Sequence, residues 1–168
     1  MRICSLLPSA TEIVAALGLA EYLAGVSAEC DWPPEVRRLP VVTASRIDTG
    51  EIGSLEIDRA VREAIADGRS LYAIEEELIG ALDPDLIITQ DLCEVCAVSS
   101  GEVSKLCSVG AEVVSLDQRT IAEIGESVVE LGARLGVPAR GAAVVGEMRA
   151  KIARVRELVA ELEPRRAS

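Results

Sequence analysis

The chain has 168 residues, of which 49% are hydrophobic and none is Phe or His, and its net charge is −11. This length suits one domain with an aliphatic core, and the negative charge argues against binding to nucleic acid or to anionic lipid. The lack of His removes the commonest general base and the commonest metal ligand, which puts catalytic functions at a disadvantage.

The first part of the chain alternates predicted strands and helices. Strands are predicted at 2–7, 23–27 and 40–43. Between the first two, Ser9 and Glu12 have the spacing of a capping box, which predicts a helix that ends at Gly18. Apolar side chains at helical spacing then predict two further helices, at 54–67 and 71–82.

A short apolar run at 86–88 predicts a buried strand that leads into a loop with two cysteines. Asp83-Pro84-Asp85 precedes this run, and Cys96 ends the loop that follows it. In open α/β sheets, the loops at the carboxyl ends of the strands form the ligand crevice. We therefore expect ligand contacts from this loop, at Gln90, Asp91, Leu92 and Cys93.

The last third of the chain is mainly helical. Thr120 and Glu123 form a second capping box, after a strand that we predict at 111–116. Pro138 suits the first turn of a final amphipathic helix of roughly 35 Å. We therefore predict three parts, namely a lobe at 1–137, a long helix at 138–163 and a tail at 164–168.

The cysteines leave two functional hypotheses open. Cys93 and Cys96 are separated by two residues, and Cys30 lies in the loop after the second predicted strand. Such thiols can bind zinc or iron, act as a redox pair, or be small buried side chains. Because structural zinc sites use four protein ligands, a carboxylate would have to complete the set. A cytoplasmic thiol-based metal-binding or redox protein is therefore one hypothesis.

The sequence lacks the patterns that direct a chain into or across a membrane. No stretch has the about 18 apolar residues of a membrane span, and Pro8 interrupts the first apolar run too early for a signal peptide. We therefore expect no membrane insertion and a cytoplasmic location, or a periplasmic location if a leader has been removed. The 5 cysteines, an odd number, fit reduced thiols.

Three further side chains are candidates for ligand contact. Ser9 and Thr11 lie at a predicted helix N-terminus, where free N–H groups attract anions, although their hydroxyls can simply cap the helix. Trp32 lies beside two prolines, where it either stacks on a ligand or covers the sheet.

Several segments carry a resemblance to a known family. They are RICSLLPSATE at 2–12, GVS at 25–27 with DWPP at 31–34, LDPDLI at 82–87, and the long terminal helix. In this order they resemble the class III substrate-binding proteins of ABC importers, and within them the cobalamin-binding, BtuF-like branch. The resemblance covers nearly the whole chain.

The resemblance implies an α/β fold, in which a Rossmann-like lobe has a parallel sheet with helices on both faces and is followed by a long connecting helix. The second lobe of the family would be missing. It implies no catalysis, but binding of a corrinoid or similar metal chelate in a cleft, and docking to an ABC permease. Since a lobe without its partner exposes apolar surface, we also expect self-association, with a homodimer as the simplest form.

The resemblance also implies site residues. Aromatic ligand contacts of the family fall here on Glu29 and on Ser45 or Arg46, and the glutamate that docks the permease corresponds to Glu56. Trp32 is then the one large flat side chain in the loops after the second and third strands. The complete set of expected ligand contacts is Pro8, Ser9, Thr11, Glu29, Cys30, Asp31, Trp32, Ser45, Arg46, Gln90, Asp91, Leu92 and Cys93. The thiols that could bind a metal are Cys30, Cys93 and Cys96.

Overall fold

The computed structural model of the protein describes residues 1–46, 53–67, 71–90 and 110–160. The chain divides into two compact units, Met1–Asp117 and Gln118–Ser168, which we call the lobe and the helical unit. In chain order the lobe contains β1 (Ile3–Ser5), α1 (Pro8–Ala16), β2 (Leu23–Val26), β3 (Thr43–Ser45), α2 (Ser54–Ala66), β4 (Tyr72–Ile74), α3 (Glu76–Leu82), β5 (Leu86–Thr89) and β6 (Glu112–Ser115). The helical unit contains α4 (Ile121–Arg134) and α5 (Pro138–Ala160).

A parallel sheet of four strands, in the order β2-β1-β5-β6, forms the centre of the lobe. Ile3 and Ser5 of β1 pair with Leu86 and Ile88 of β5, so the two inner strands run in register. Both are buried along their whole length, as expected for inner strands of a parallel sheet. The predicted α/β class with a parallel sheet and a long C-terminal helix is confirmed.

A second sheet corrects two of the predicted elements. β3 and β4 form an antiparallel pair in which Ser45 lies opposite Tyr72. The helix predicted at 71–82 was therefore wrong over its first turn, because α3 begins only at Glu76. The strand predicted at 40–43 lies two or more residues later, and Val41 makes just an isolated bridge with Val26.

The two predicted capping boxes have different outcomes. α1 begins at Pro8 with Leu7 as its N-cap and without a side-chain cap, so the predicted Ser9–Glu12 box was wrong. Proline suits the first helical turn, which moves the helix start forward and leaves Ser9 inside that turn. In α4 the predicted box is confirmed, because Thr120 Oγ1 accepts from Glu123 N at 3.2 Å and Glu123 Oε2 accepts from Thr120 N at 3.1 Å.

The core of the lobe is aliphatic, as composition predicted. Cys4, Val42, Ile79 and Ile87 form a fully buried cluster. Burial raises the pKa of the Cys4 thiol to about 11 against the opposing effect of the Arg2 charge, so this thiol stays protonated and unreactive. Gly25 completes the contact between β2 and this cluster, since a Cβ there would lie 2.7 Å from Val42 Cγ1.

The helical unit consists of two helices that pack closely through glycines. A Cβ on Gly132 of α4 would lie 3.1 Å from Gly141 Cα of α5, so the two backbones approach as near as they do because both residues lack side chains. Pro138 begins α5, as its sequence position predicted. None of the helices in the described part of the chain is long and apolar enough to span a membrane.

Candidate functional site

A pocket opens in the lobe where the parallel strands end. Its volume is about 200 Å³, and its lining consists of Leu6, Leu7 and Pro8 after β1, Ser27 and Glu29 after β2, Gln90 after β5, Thr43 of β3 and Tyr72 of β4. This is the crevice that open parallel sheets use for ligands. Of the predicted contacts, Pro8, Glu29 and Gln90 line it.

The lining combines apolar surface with a few polar groups. Pockets that bury most of a drug-sized ligand enclose roughly 300–1,000 Å³. The pocket in the lobe is smaller, so it would surround only part of such a ligand. Among the described lining residues Glu29 is the one that carries charge. Such a surface suits a bulky apolar ligand whose edge carries polar groups.

Tyr72 supplies the aromatic ring of the pocket, although it was not among the ligand contacts predicted from the sequence. The β3–β4 pairing places Tyr72 opposite Ser45, where the resemblance led us to expect a ligand contact. Arg46 fixes this junction, because its N donates to Leu71 O at 2.8 Å and its Nε donates to Tyr72 O at 3.3 Å. Tyr72 and Ile74, two residues of high strand propensity at alternate positions, were the signal available in the sequence.

Thr11 and Cys30 lie inside the fold and do not line the pocket. Thr11 Oγ1 donates to Ser5 Oγ at 2.8 Å and lies 3.1 Å from Cys30 Sγ. Ser27 Oγ lies 3.1 Å from the same sulfur. Thr11 is 0% exposed, and neither Thr11 nor Cys30 is part of the pocket lining, so the structure gives neither of them the ligand contact that we expected.

Cys30 contacts hydroxyl groups rather than other candidate metal ligands among the residues that the structure describes. Among the residues that the structure describes, no group of three or more Cys, Asp or Glu side chains is close enough together to hold a metal ion. Cys30 Sγ instead contacts two hydroxyl groups. Cys93 and Cys96, together with Asp91 and Leu92, lie outside the described residues.

The other predicted contacts are exposed and lie outside the pocket lining. Asp31 pairs with Arg37 at 3.6 Å on the surface. Trp32 is 60% exposed, so its ring is free to meet a partner or a large ligand. The remaining exposed residues of the predicted set are Ser9, Ser45 and Arg46.

Glu56, the predicted docking residue, lies in the first turn of α2 and is exposed. Its Oε2 accepts a hydrogen bond from Gly53 N at 3.0 Å. This contact satisfies an N–H group at the start of the helix and holds the carboxylate in one place.

A second groove lies within the helical unit, between α4 and α5, with a volume of about 260 Å³. Its lining is Ile121, Ala122, Gly125, Met148, Arg149, Ile152, Ala153 and Arg156. Apart from the two arginines, these side chains offer no polar group, so the groove lacks the converging donors and acceptors of the pocket in the lobe.

Comparison with known proteins places the chain in a family. The sequence profile described as periplasmic binding protein matches residues 3–168. The chain belongs to the periplasmic binding protein family. Within that family it is of the BtuF-like class III type, as the resemblance in its sequence predicted.

Individual relatives support the same assignment of this periplasmic binding protein. The vitamin B12-binding protein of Pectobacterium carotovorum subsp. carotovorum (strain PC1) is 28% identical over 159 residues, which are 92% of this chain and 45% of that protein. The crystal structure of the periplasmic vitamin B12-binding protein BtuF of Vibrio cholerae is 26% identical with a TM-score of 0.69, covering 97% of this chain and 52% of that one. The periplasmic haem-binding protein from Pseudomonas aeruginosa is 26% identical with a TM-score of 0.71, covering 95% and 47%. The chain thus spans about half the length of these relatives.

Proposed function

We propose that the chain is a non-catalytic binding module that holds part of a flat metal macrocycle, a corrinoid or a related metal chelate, in the pocket of the lobe. The observation that carries this proposal is the position of Tyr72, beside the apolar side chains of Leu6 and Leu7, in the pocket at the carboxyl ends of β1, β2 and β5. In this role the chain acts as part of the substrate-binding protein of an ABC importer.

The chemistry of the lining supports a flat ligand. The ring of Tyr72 and the side chains of Leu6 and Leu7 offer apolar contact to a macrocycle face. Ser27 and Gln90 provide hydrogen-bonding groups for substituents at its edge. Relatives are named for vitamin B12 and for haem, and both ligands are flat tetrapyrrole-type rings around a metal.

An ABC permease is the partner that we propose, with Glu56 as the docking residue. Glu56 is exposed and held in place by Gly53 N, so its negative charge is available to a basic residue of a partner. Membership of a periplasmic binding protein family favours a periplasmic location over the cytoplasmic one.

The test is titration of the purified chain with cyanocobalamin and with haemin, followed by absorbance. Replacing Tyr72 with Ala should weaken binding by about tenfold, since loss of an aromatic contact costs about 0.5–1.5 kcal/mol beyond the area lost. Tyr72→Phe keeps the ring and should retain affinity for a stacked corrinoid. If the phenolate instead binds haem iron, Tyr72→Phe will lose haem affinity and change the haem spectrum.

A matched control uses the other tyrosine. Tyr22 precedes β2, at the opposite edge of the sheet, so Tyr22→Phe should leave both titrations unchanged. Wild-type protein that binds neither macrocycle would contradict the proposal.

The thiol hypothesis has its own test. Metal analysis of protein purified without a chelator should find no stoichiometric zinc or iron, and a Cys93→Ser, Cys96→Ser double variant should keep its affinity for the macrocycle. Stoichiometric metal in wild-type protein that binds no macrocycle would favour the thiol-based function instead.

A further inference from the structure

A buried row of hydroxyl and thiol groups extends from the pocket lining into the lobe, and apart from its last member no part of it is used in the ligand binding proposed above. The row consists of Ser5, Thr11, Cys30 and Ser27, which come from β1, α1 and the loop after β2. All four side chains are less than a tenth exposed. Only its last member, Ser27, also lines the pocket.

The hydrogen atoms of this row have one consistent order. Each hydroxyl or thiol has a single hydrogen to donate. Ser5 Oγ donates to the carbonyl of Leu7 at 3.0 Å, and Thr11 Oγ1 donates to Ser5 Oγ at 2.8 Å. The alternative acceptor of Thr11, Leu7 O at 3.4 Å, lies on the same side. In either case the hydrogen of Thr11 points away from Cys30.

The order of the remaining contacts follows from this. Either atom could donate in the 3.1 Å contact between Thr11 Oγ1 and Cys30 Sγ, but with the hydrogen of Thr11 directed to Ser5, the order that satisfies every contact has the thiol of Cys30 donating to Thr11 Oγ1. The single hydrogen of the thiol is then used, so the 3.1 Å contact with Ser27 requires Ser27 Oγ to donate to the sulfur. Toward the pocket Ser27 therefore presents lone pairs, and it can only accept.

Glu29, two residues later in the same loop, also lines the pocket, and an ionised carboxylate is an acceptor too. Two acceptors on one wall favour a ligand edge that carries N–H donors. A carboxylate on the ligand edge should bind poorly at this wall, because the negative charge of Glu29 repels it and Ser27 has no hydrogen to donate to it.

We propose that Ser27 and Glu29 select macrocycles with peripheral amides over macrocycles with peripheral carboxylates, and that Cys30 is a positioning residue that keeps the hydroxyl hydrogen of Ser27 out of the pocket. This inference rests on the proposed function, since it specifies which edge chemistry the pocket binds. It gives Cys30 a role that is neither metal ligation nor ligand contact.

The experiment compares cyanocobalamin with its monocarboxylate derivatives, in which one peripheral amide has been hydrolysed. Wild-type protein should bind the amide form at least about tenfold more tightly than one of these acids, because the acid loses a hydrogen bond to a charged carboxylate. Glu29→Gln removes the charge and adds a donor, and Cys30→Ala frees the hydrogen of Ser27. Each should reduce this affinity ratio severalfold.

Matched controls separate selectivity from stability. Cys30→Ser can both donate and accept, so it should restore the wild-type ratio. Cys4→Ala removes the other described cysteine, which lies in the apolar core, and should lower stability without changing the ratio. Glu35→Gln, at an exposed position outside the lining, should have no effect. Equal binding of amide and acid by wild type, or an unchanged ratio in Cys30→Ala, would overturn the inference.

A measurement without ligand tests the order of the row directly. The infrared S–H stretching band of Cys30, assigned by difference from Cys30→Ser, should move to higher frequency in Thr11→Val because the thiol loses its acceptor. An unmoved band would overturn the inference whatever the protein binds. Failure of wild type to bind any corrinoid or haemin, with the band shift present, would instead remove the proposed function and with it the selectivity.

Discussion

The lobe and the helical unit differ in how they bury apolar side chains. In the lobe, β1 and β5 are buried along their entire length. In the helical unit, large apolar side chains remain substantially exposed, namely Ile121, Ile124, Val129, Val155, Leu158 and Val159. An inner strand of a parallel sheet is covered on two faces, whereas apolar spacing along a helix leads to burial only where another element lies against it. Apolar periodicity therefore predicted an element in both units, but in the helical unit it predicted burial for only some of the apolar side chains, such as Val128 and Leu131 of α4 and Val145 of α5.

The largest expected difference between the units comes from deleting apolar atoms. Ile87→Ala, in the fully buried cluster of the lobe, should lower the free energy of unfolding by about 2–5 kcal/mol. Val155→Ala, at a side chain that is 57% exposed, should change it by less than about 0.5 kcal/mol. Urea denaturation of both variants measures this. Similar losses would show that the apolar face of α5 around Val155 is covered in solution.

Glycine replacement should act in opposite directions in the two units. A Cβ at Gly25 would lie 2.7 Å from Val42 Cγ1 and 2.9 Å from Leu82 Cδ1, so Gly25→Ala should cost about 1–3 kcal/mol. A Cβ at Gly146, inside α5, meets nothing within 4 Å. Gly146→Ala should therefore stabilise the protein by up to about 1 kcal/mol. Thermal unfolding of both variants checks the signs, and a destabilised Gly146→Ala would mean that the helix surface is in contact with another surface.

Alkaline pH should act on the lobe rather than on the helical unit, because all 5 cysteines lie before residue 118. The pKa of Cys4 rises from 9.0 to about 11 on folding, mainly because burial disfavours the thiolate. The resulting stability is complete below pH 9 and is lost as the pH rises toward 11, with a loss of about 1.4 kcal/mol by pH 10. Denaturation of wild type and Cys4→Ala at several pH values measures this, and the variant should show the smaller loss. Equal losses would refute the assignment to Cys4.

The smallest effect that we expect is weak self-association through the exposed face of α5. Val155, Leu158 and Val159 are each more than half exposed, and burying them in a second copy would gain hydrophobic free energy. Light scattering should show a mass that rises with concentration, and Leu158→Glu should abolish the rise. Glu157→Gln, an exposed neighbour, provides the control. A monomeric mass at every concentration would contradict a homodimer.

Local sequence signals were reliable where the element depends on its own residues. The Thr120–Glu123 box was confirmed because its two hydrogen bonds close within four residues. The start of α5 at Pro138 was confirmed for the same reason. The Ser9–Glu12 box failed because Pro8, one residue earlier, is itself suited to the first turn of α1.

Signals that depend on a distant segment were misleading. Leu71, Ile74 and Leu78 have helical spacing, but the residues from Tyr72 to Ile74 pair with β3 instead. The backbone N–H and C=O groups of this segment need hydrogen-bond partners. Because β3 lies beside it, the segment can obtain them by pairing as a strand instead of forming a turn of helix. As a result, Tyr72 was assigned to a helix and was not predicted as a pocket residue, although it lines the pocket.

The sequence by itself determined the alternation of strands and helices, the caps that close locally, and the edge of the sheet at which Gln90 meets the pocket. It also carried the family resemblance, because motif order is a property of the chain. The tertiary structure alone decided that Tyr72 lies opposite Ser45, and that Thr11 and Cys30 lie behind the lining rather than in it. Those positions depend on contacts between segments far apart in sequence, and no local pattern specifies which segments will meet.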